Sequence, residues 1–283
     1  MKFRRFLARL SPGLLLALAL SELAHAGLPR AANVPGGVAV LRLGPVLDRT
    51  KAPRAWFGEL AILVMAEEND WFAVIGLPLD LPAGTHELRV STGEETKNRR
   101  FEVTPKRYPE QRIVLKDTRK VQLSAADEAR AEREIATIQG LKRHWRETDD
   151  TDAAFQLPAA GRLAGRFGLR RFFNGEPRSP HAGLDVAVPR GTAIKAGTHG
   201  RVLAIDDYFF NGKTVFVDHG NGLISMYCHL ERIDVQAGEA VRQGQRLGLS
   251  GMTGRATGPH LHWSVVLNGA MVDPELFLPL PVR

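Results

Sequence analysis

Along most of this chain turn residues recur too closely to build long helices. Its 283 residues include 28 glycines and 17 prolines, and the apolar runs between them have the length of strands. Residues 36–41, 71–76, 201–205, 214–217, 223–227 and 260–266 are runs of this kind. Residues 86–90 and 100–103 alternate polar and apolar side chains, as half-buried strands do. One segment alone has a helical period. From residue 124 to about 147, Ile135, Ile138, Leu141 and Trp145 recur at helical spacing, and Ser124 with Asp127 resembles a capping box. That stripe is expected to pack on a neighbouring domain. The polar residues 147–152 after it read as an exposed link. The fold expected is mainly β: a small N-terminal β-sandwich over residues 33–116, a helical linker over 117–150 and a C-terminal antiparallel β-domain over 151–283.

The first residues read as a targeting segment. Lys2, Arg4, Arg5 and Arg9 precede an apolar run from Leu14 to Leu20, and Ala24-His25-Ala26 offers small residues at −3 and −1. The run is far below the roughly 20 residues of a spanning helix. The expectation is a signal peptide over residues 1–26, an exported protein and a periplasmic location. No later segment is long and apolar enough to span a membrane. Cys228 is the single cysteine, so an intrachain disulfide and a Cys-rich zinc module are excluded. The net charge is +7, and Lys2, Arg4, Arg5 and Arg9 contribute to it. Nucleic acid is not expected as a partner, because no binding motif is present and the basic residues are scattered among acidic ones. An anionic envelope polymer is compatible with the charge.

Histidines concentrate the chemistry. Six of the nine fall between residues 181 and 262, and imidazole is a common zinc ligand. If His260-Leu261-His262 is a strand, period two turns both imidazoles to one face. Both could then hold one metal, or one could hold it while its neighbour moves protons. His181 and Asp185, four residues apart, offer one nitrogen and one oxygen. With a second histidine they make a three-ligand set with an open position, the pattern of a catalytic zinc site. His229 ends an apolar run and by itself reads as a satisfied core histidine. Cys228 falls on the opposite face and reads as buried and inert. His199 and His219 sit beside glycine and carry no assigned role, with His219 read as a turn residue. Arg170 and Arg171 could meet an anionic substrate or serve the structure.

Taken in order, His-x-x-x-Asp, His and His-x-His resemble the lysostaphin-like (LytM-type) zinc metallopeptidases. The resemblance runs from about Gly161 to Pro274. It includes Gly165-Arg-Phe-Gly168, Asp185-Val-Ala-Val-Pro-Arg-Gly-Thr192, Val217-Asp-His-Gly-Asn-Gly222 and Thr257-Gly-Pro-His-Leu-His262. It implies Zn2+ held by His181, Asp185 and His262, with His229 and His260 as the non-ligand catalytic pair. It implies a zinc-activated water as nucleophile and the peptide stems of peptidoglycan as substrate, a DD-endopeptidase in a Gram-negative envelope. The sequence leaves open whether a regulatory protein partner acts on it. A non-enzymatic wall-binding regulator of another hydrolase is the alternative, and the complete ligand set argues against it. Residues 235–245 have the rhythm of a lipoyl- or biotinyl-carrier module, but residues 155–283 lack the Lys-Met pair such a module needs.

Overall fold

Period-two alternation builds the N-terminal module in the computed structural model, which describes residues 27–93, 95–114 and 123–280. The candidate signal peptide lies outside the described residues. Strands β1 (Val38–Pro45), β2 (Arg54–Phe57), β3 (Leu60–Glu67), β4 (Asp70–Gly76), β5 (Gly84–Thr92) and β6 (Glu95–Val103) form an antiparallel sheet in the order β1-β4-β3-β2-β5-β6. Residues 60–62 of β3 pair with β2 and residues 63–67 with β4. The sheet folds over at β3, so the expected sandwich takes the form of a half-barrel. Ala39, Ile62, Trp71, Ala73, Ile75, Leu88 and Phe101 fill its inside.

The alternate residues are not solvated. Val38, Leu63, Met65 and Val74 join one core with Leu184, Trp263, Val265 and Leu267 of the C-terminal half. Asn268 locks the contact, accepting from Gly76 N at 2.6 Å and donating to Gly76 O at 3.1 Å. Any side chain at Gly76 would meet the Leu267 carbonyl. Full burial of each such aliphatic side chain contributes about 1.5–3 kcal/mol, so the two halves are fused by their cores.

Strand β7 (Glu110–Ile113), expected within the first module, belongs elsewhere. It pairs in parallel with β9 (Arg170–Phe173), which also pairs with β10 (Glu176–Pro177). Between them in sequence come helix α1 (Ala125–Lys142) and β8 (Arg162–Gly165). The cap of α1 is as expected: Ser124 Oγ accepts from Asp127 N at 3.1 Å and donates to its carboxylate at 2.8 Å. The helix ends at Lys142, before Trp145, and beyond it Arg146 reaches the buried carboxylate of Asp218. The stripe is therefore narrower than its spacing implied. Ile138 and Leu141 pack on the C-terminal sheet, while Ile135 is 48% exposed.

The segment read as an exposed link is exposed at Glu147, Asp149 and Asp150 but docked at its other residues. Asn221 Nδ2 donates to Thr148 O and Thr151 Oγ1 at 2.7 and 3.0 Å, and Thr198 Oγ1 donates to Asp152 at 3.1 Å. Thr148, Thr151 and Asp152 exchange solvent for partners on the C-terminal half.

The sheet itself adds β11 (Leu184–Ala187), β12 (Ala193–Lys195), β13 (Gly200–Tyr208), β14 (Gly212–Gly220), β15 (Leu223–Ile233), β16 (Ala240–Val241), β17 (Arg246–Ser250), β18 (Leu261–Leu267) and β19 (Ala270–Val272). Its main order is β16-β13-β14-β15-β18-β11-β8, with β17 joining β12 to β15 and β19 beside β18. The central strands are buried on both faces. Val215, Tyr227 and Trp263 face the shared core, and Phe216, Met226 and Cys228 face α1. That is why β14, β15 and β18 read as near-continuous apolar runs. Among the described residues no helix is long and apolar enough to cross a membrane.

Candidate metal centre

Asp185 of β11 and His262 of β18 sit directly opposite each other in the ladder. Two glycines allow the close approach. A Cβ at Gly165, the β8 partner of Asp185, would lie 2.4 Å from the Asp185 carboxylate. A Cβ at Gly183 would lie 2.7 Å from the His262 ring. His181 arrives from the loop before β11, and Gly168 N donates to its carbonyl at 2.7 Å while its own N–H donates to Leu169 O at 3.0 Å.

Three donor atoms converge. His181 Nε2 lies 2.9 Å from Asp185 Oδ1 and 3.0 Å from His262 Nδ1, and His262 Nδ1 lies 2.9 Å from the same Oδ1. His181 Nδ1 is 3.0 Å from Arg166 O. A carbonyl only accepts, so Nδ1 carries the proton and Nε2 of the neutral ring presents a lone pair. That lone pair faces a carboxylate oxygen, so a cation belongs between them. A proton there satisfies one bond; a metal ion satisfies three donors together. The second nitrogen of His262 is held by Ser264 Oγ at 2.9 Å, which leaves Nδ1 toward the other two. Such partners orient ligating histidines. Two nitrogens and one oxygen at this spacing fit zinc, whose tetrahedral edge is roughly 3.3 Å for bonds of about 2.0 Å. Within the described residues this is the one group of three or more such donors.

Burial pushes the Asp185 carboxyl up, but hydrogen bonds and charge from His181 and His262 outweigh it and hold the carboxyl well below the usual carboxylate range. Burial pushes His262 down from the ordinary imidazole value. The donor set is thus anionic at Asp185 and neutral at His262, as metal ligation requires.

Beside it stand His229 and His260, ring centroids 4.7 Å apart. Each donates Nδ1–H to a carbonyl, His229 to Thr253 O at 2.9 Å and His260 to Gly258 O at 2.8 Å. Each therefore keeps a lone pair at Nε2. His229 occupies a β-bulge: between the pairs Val215↔Tyr227 and Lys213↔Leu230, β15 carries one extra residue. Its φ is 61°, left-handed backbone that is uncommon outside glycine and clusters at functional sites. The bulge turns the imidazole toward the centre instead of into the core. Burial pushes its pKa down to about 4, so it is neutral at pH 7.

The other side chains singled out by sequence separate from this group. Cys228 pairs with His262 across the β15–β18 ladder, but it is fully buried outside the donor group, and burial raises its thiol to about 12. His219 is a correction: it lies inside β14 and not in a turn. It is buried, with Nδ1–H donating to His199 O and Nε2 at 2.7 Å from Ser225 Oγ. Arg170 lies 3.6 Å from Glu110 and Arg171 bonds Gln111, so both serve the β7–β9 contact. Sequence reasoning missed Ser264. Period two along β18 places it on the face of His262, which was the available signal. It also missed Thr253 and Arg166, which act through main-chain carbonyls and leave no side-chain signature.

Fold and donor set together define a β-sheet metallopeptidase. Residues 179–274 match Peptidase family M23, and residues 31–106 match the Peptidase family M23 N-terminal domain. A crystal structure of a candidate M23 peptidase from Pseudomonas aeruginosa is 42% identical, with a TM-score of 0.73 over 87% of this chain and 95% of that one. Peptidoglycan DD-endopeptidase ShyA of Vibrio cholerae is 38% identical over 44% of this chain and 30% of its own length. DD-carboxypeptidase/endopeptidase Mpg of Neisseria meningitidis is 39% identical over 36% of this chain and 24% of its own length. The chain thus spans under a third of these two curated relatives. The chain belongs to peptidase family M23.

Proposed function

We propose that the protein is an exported, zinc-dependent endopeptidase that hydrolyses peptide cross-links of peptidoglycan. The observation that carries this is the convergence of His181 Nε2, Asp185 Oδ1 and His262 Nδ1 within 3.0 Å of one another, beside two imidazoles whose Nε2 atoms are free to take a proton. The names of the relatives supply the substrate class, and the basic, apolar and small-residue order of residues 1–26 supports export.

His181, Asp185 and His262 would hold the metal. When bound, zinc supplies Lewis acidity toward a water and a peptide carbonyl. His229 and His260 take the proton of the attacking water at Nε2 and pass it to the leaving amine, while their Nδ1–H bonds keep each ring in place. The water oxygen forms the new bond to the carbonyl carbon and the C–N bond breaks. No side chain is acylated, in keeping with the inert Cys228.

Purified protein lacking residues 1–26, loaded with zinc, should convert cross-linked muropeptide dimers from Gram-negative sacculi into monomers, and a chelator should stop it. Zinc binding without cleavage would leave a wall-binding regulator as the reading. Failure to bind zinc would remove the reading altogether.

A further inference from the structure

His181 has four polar atoms, and three of them are held by a short run of main chain. Its N–H donates to Leu169 O, its carbonyl accepts from Gly168 N, and Nδ1–H donates to Arg166 O. Residues 166–169 thus set the position, the ring orientation and the tautomer of His181, leaving Nε2 toward Asp185 and His262. What holds residues 166–169 decides how well this works.

That support comes from the N-terminal module. Its exit segment lays Tyr108 against Gly168, whose φ is 82°. A Cβ at Gly168 would lie 2.0 Å from the Tyr108 ring, so only glycine lets the ring seat here. The same ring stands edge-on to Phe167, centroids 6.2 Å apart. Its hydroxyl donates to Pro35 O at 2.7 Å, back in the N-terminal module. Two residues on, Arg170 N donates to Pro109 O at 2.9 Å, and β7 continues the contact along β9. Tyr108 is half-buried, and burial raises its phenol to about 12, so it stays a neutral donor. The N-terminal module and the residues that hold His181 therefore meet at Tyr108, with Phe167 also seated against Gly36 and β7 against β9.

We propose that Tyr108 is a positioning residue for His181, and that the N-terminal module in this way forms part of the metal centre. The inference rests on His181 being a metal ligand, and the test separates the two. In the full chain without residues 1–26, zinc affinity is measured by competition with a chromophoric chelator for wild type, His181→Ala, Tyr108→Phe and Tyr108→Ala. Folding is checked by circular dichroism. Wild type should bind zinc and His181→Ala should not; if wild type binds none, the ligand reading falls first.

Loss of an outer partner of a ligating histidine weakens metal by roughly 10–100-fold. Folded Tyr108→Ala is expected to lose about tenfold in zinc affinity, near the lower end of that range. Tyr108→Phe keeps the ring and should stay within about threefold of wild type by the same comparison. If Tyr108→Ala fails to fold, Tyr108→Leu takes its place with the same expectation. A second arm uses Gly168→Ala, whose new methyl meets the ring. It should weaken zinc in the wild-type background and weaken it less when combined with Tyr108→Ala. The proposal is overturned if the folded Tyr108 variants melt earlier yet bind zinc as wild type does. That result would make Tyr108 a plain packing residue.

Discussion

For five of the histidines, the nitrogen that is tied down sets what each can do. His181, His229 and His260 all give Nδ1–H to a main-chain carbonyl, so all three present Nε2. His262 is tied at Nε2 by Ser264 and presents Nδ1. His219 has both nitrogens occupied and presents neither. Replacing His181, Asp185 or His262 with alanine should remove zinc and activity together, read by metal analysis and muropeptide release. His229→Ala and His260→Ala should keep zinc and lower kcat by roughly 10²–10⁴. Zinc loss in His260→Ala with retention in His262→Ala would reverse the assignment. His219 carries a pH prediction of its own. Burial holds its folded pKa at about 4, against 6.5 ordinarily. Between those values the unfolded chain binds a proton that the folded chain refuses. Stability is then fully present above pH 6.5 and falls as pH drops toward 4, by about 3 kcal/mol for this group. Urea titrations across that range should show the loss, and His219→Gln should remove this group's share of it, leaving that of His229, which burial also holds at about 4. An unchanged slope would place the effect elsewhere.

Elements place these residues by ladder register, a bulge and glycine. Asp185 meets His262 because β11 and β18 pair in that register, and Gly165 on β8 leaves the room that the carboxylate occupies. A methyl at Gly165 would push against the Asp185 side chain, from its carboxylate to its Cβ. Gly165→Ala is expected to weaken zinc by roughly tenfold, an outer-partner effect, while circular dichroism still reports the β fold. Chelator competition on the purified variant checks this, and wild-type affinity would show that the strand yields. The bulge in β15 does for His229 what the ladder does for Asp185. Regular alternation would have placed His229 with Tyr227, in the shared core.

At the scale of the whole molecule, the half-barrel and the C-terminal sheet share one core. Leu63 and Val74 of the first lie in the same cluster as Val265 and Leu267 of the second. Two modules joined only by a link would melt separately; modules that share a core melt together. A single transition is expected by calorimetry, and Leu63→Ala should destabilise both halves together by about 2–5 kcal/mol. Two resolved transitions, with only the first moved by Leu63→Ala, would contradict the shared core.

How much of this could be read along the chain follows from the range of each interaction. Strand length, turn residues, the Ser124 cap and the apolar runs are local, and the β class with one helix emerged from them. The five residues of the centre also stood out, because rare side chains at short spacing survive in one dimension. Relations between distant segments did not. The docking of Thr148, Thr151 and Asp152 depends on Asn221 and Thr198, and polar residues look alike whether water or a buried partner satisfies them. The narrow stripe of α1 depends on which of its residues meet the C-terminal sheet, Ile138 and Leu141 but not Ile135. The pairing of β7 with β9 joins segments some 60 residues apart. Most of all, the ring nitrogen each histidine presents depends on carbonyls of Arg166, Thr253 and Gly258, and a main-chain oxygen is the same at every residue. Side-chain chemistry is written in the order of residues; the partner of a main-chain group exists only once the chain has folded.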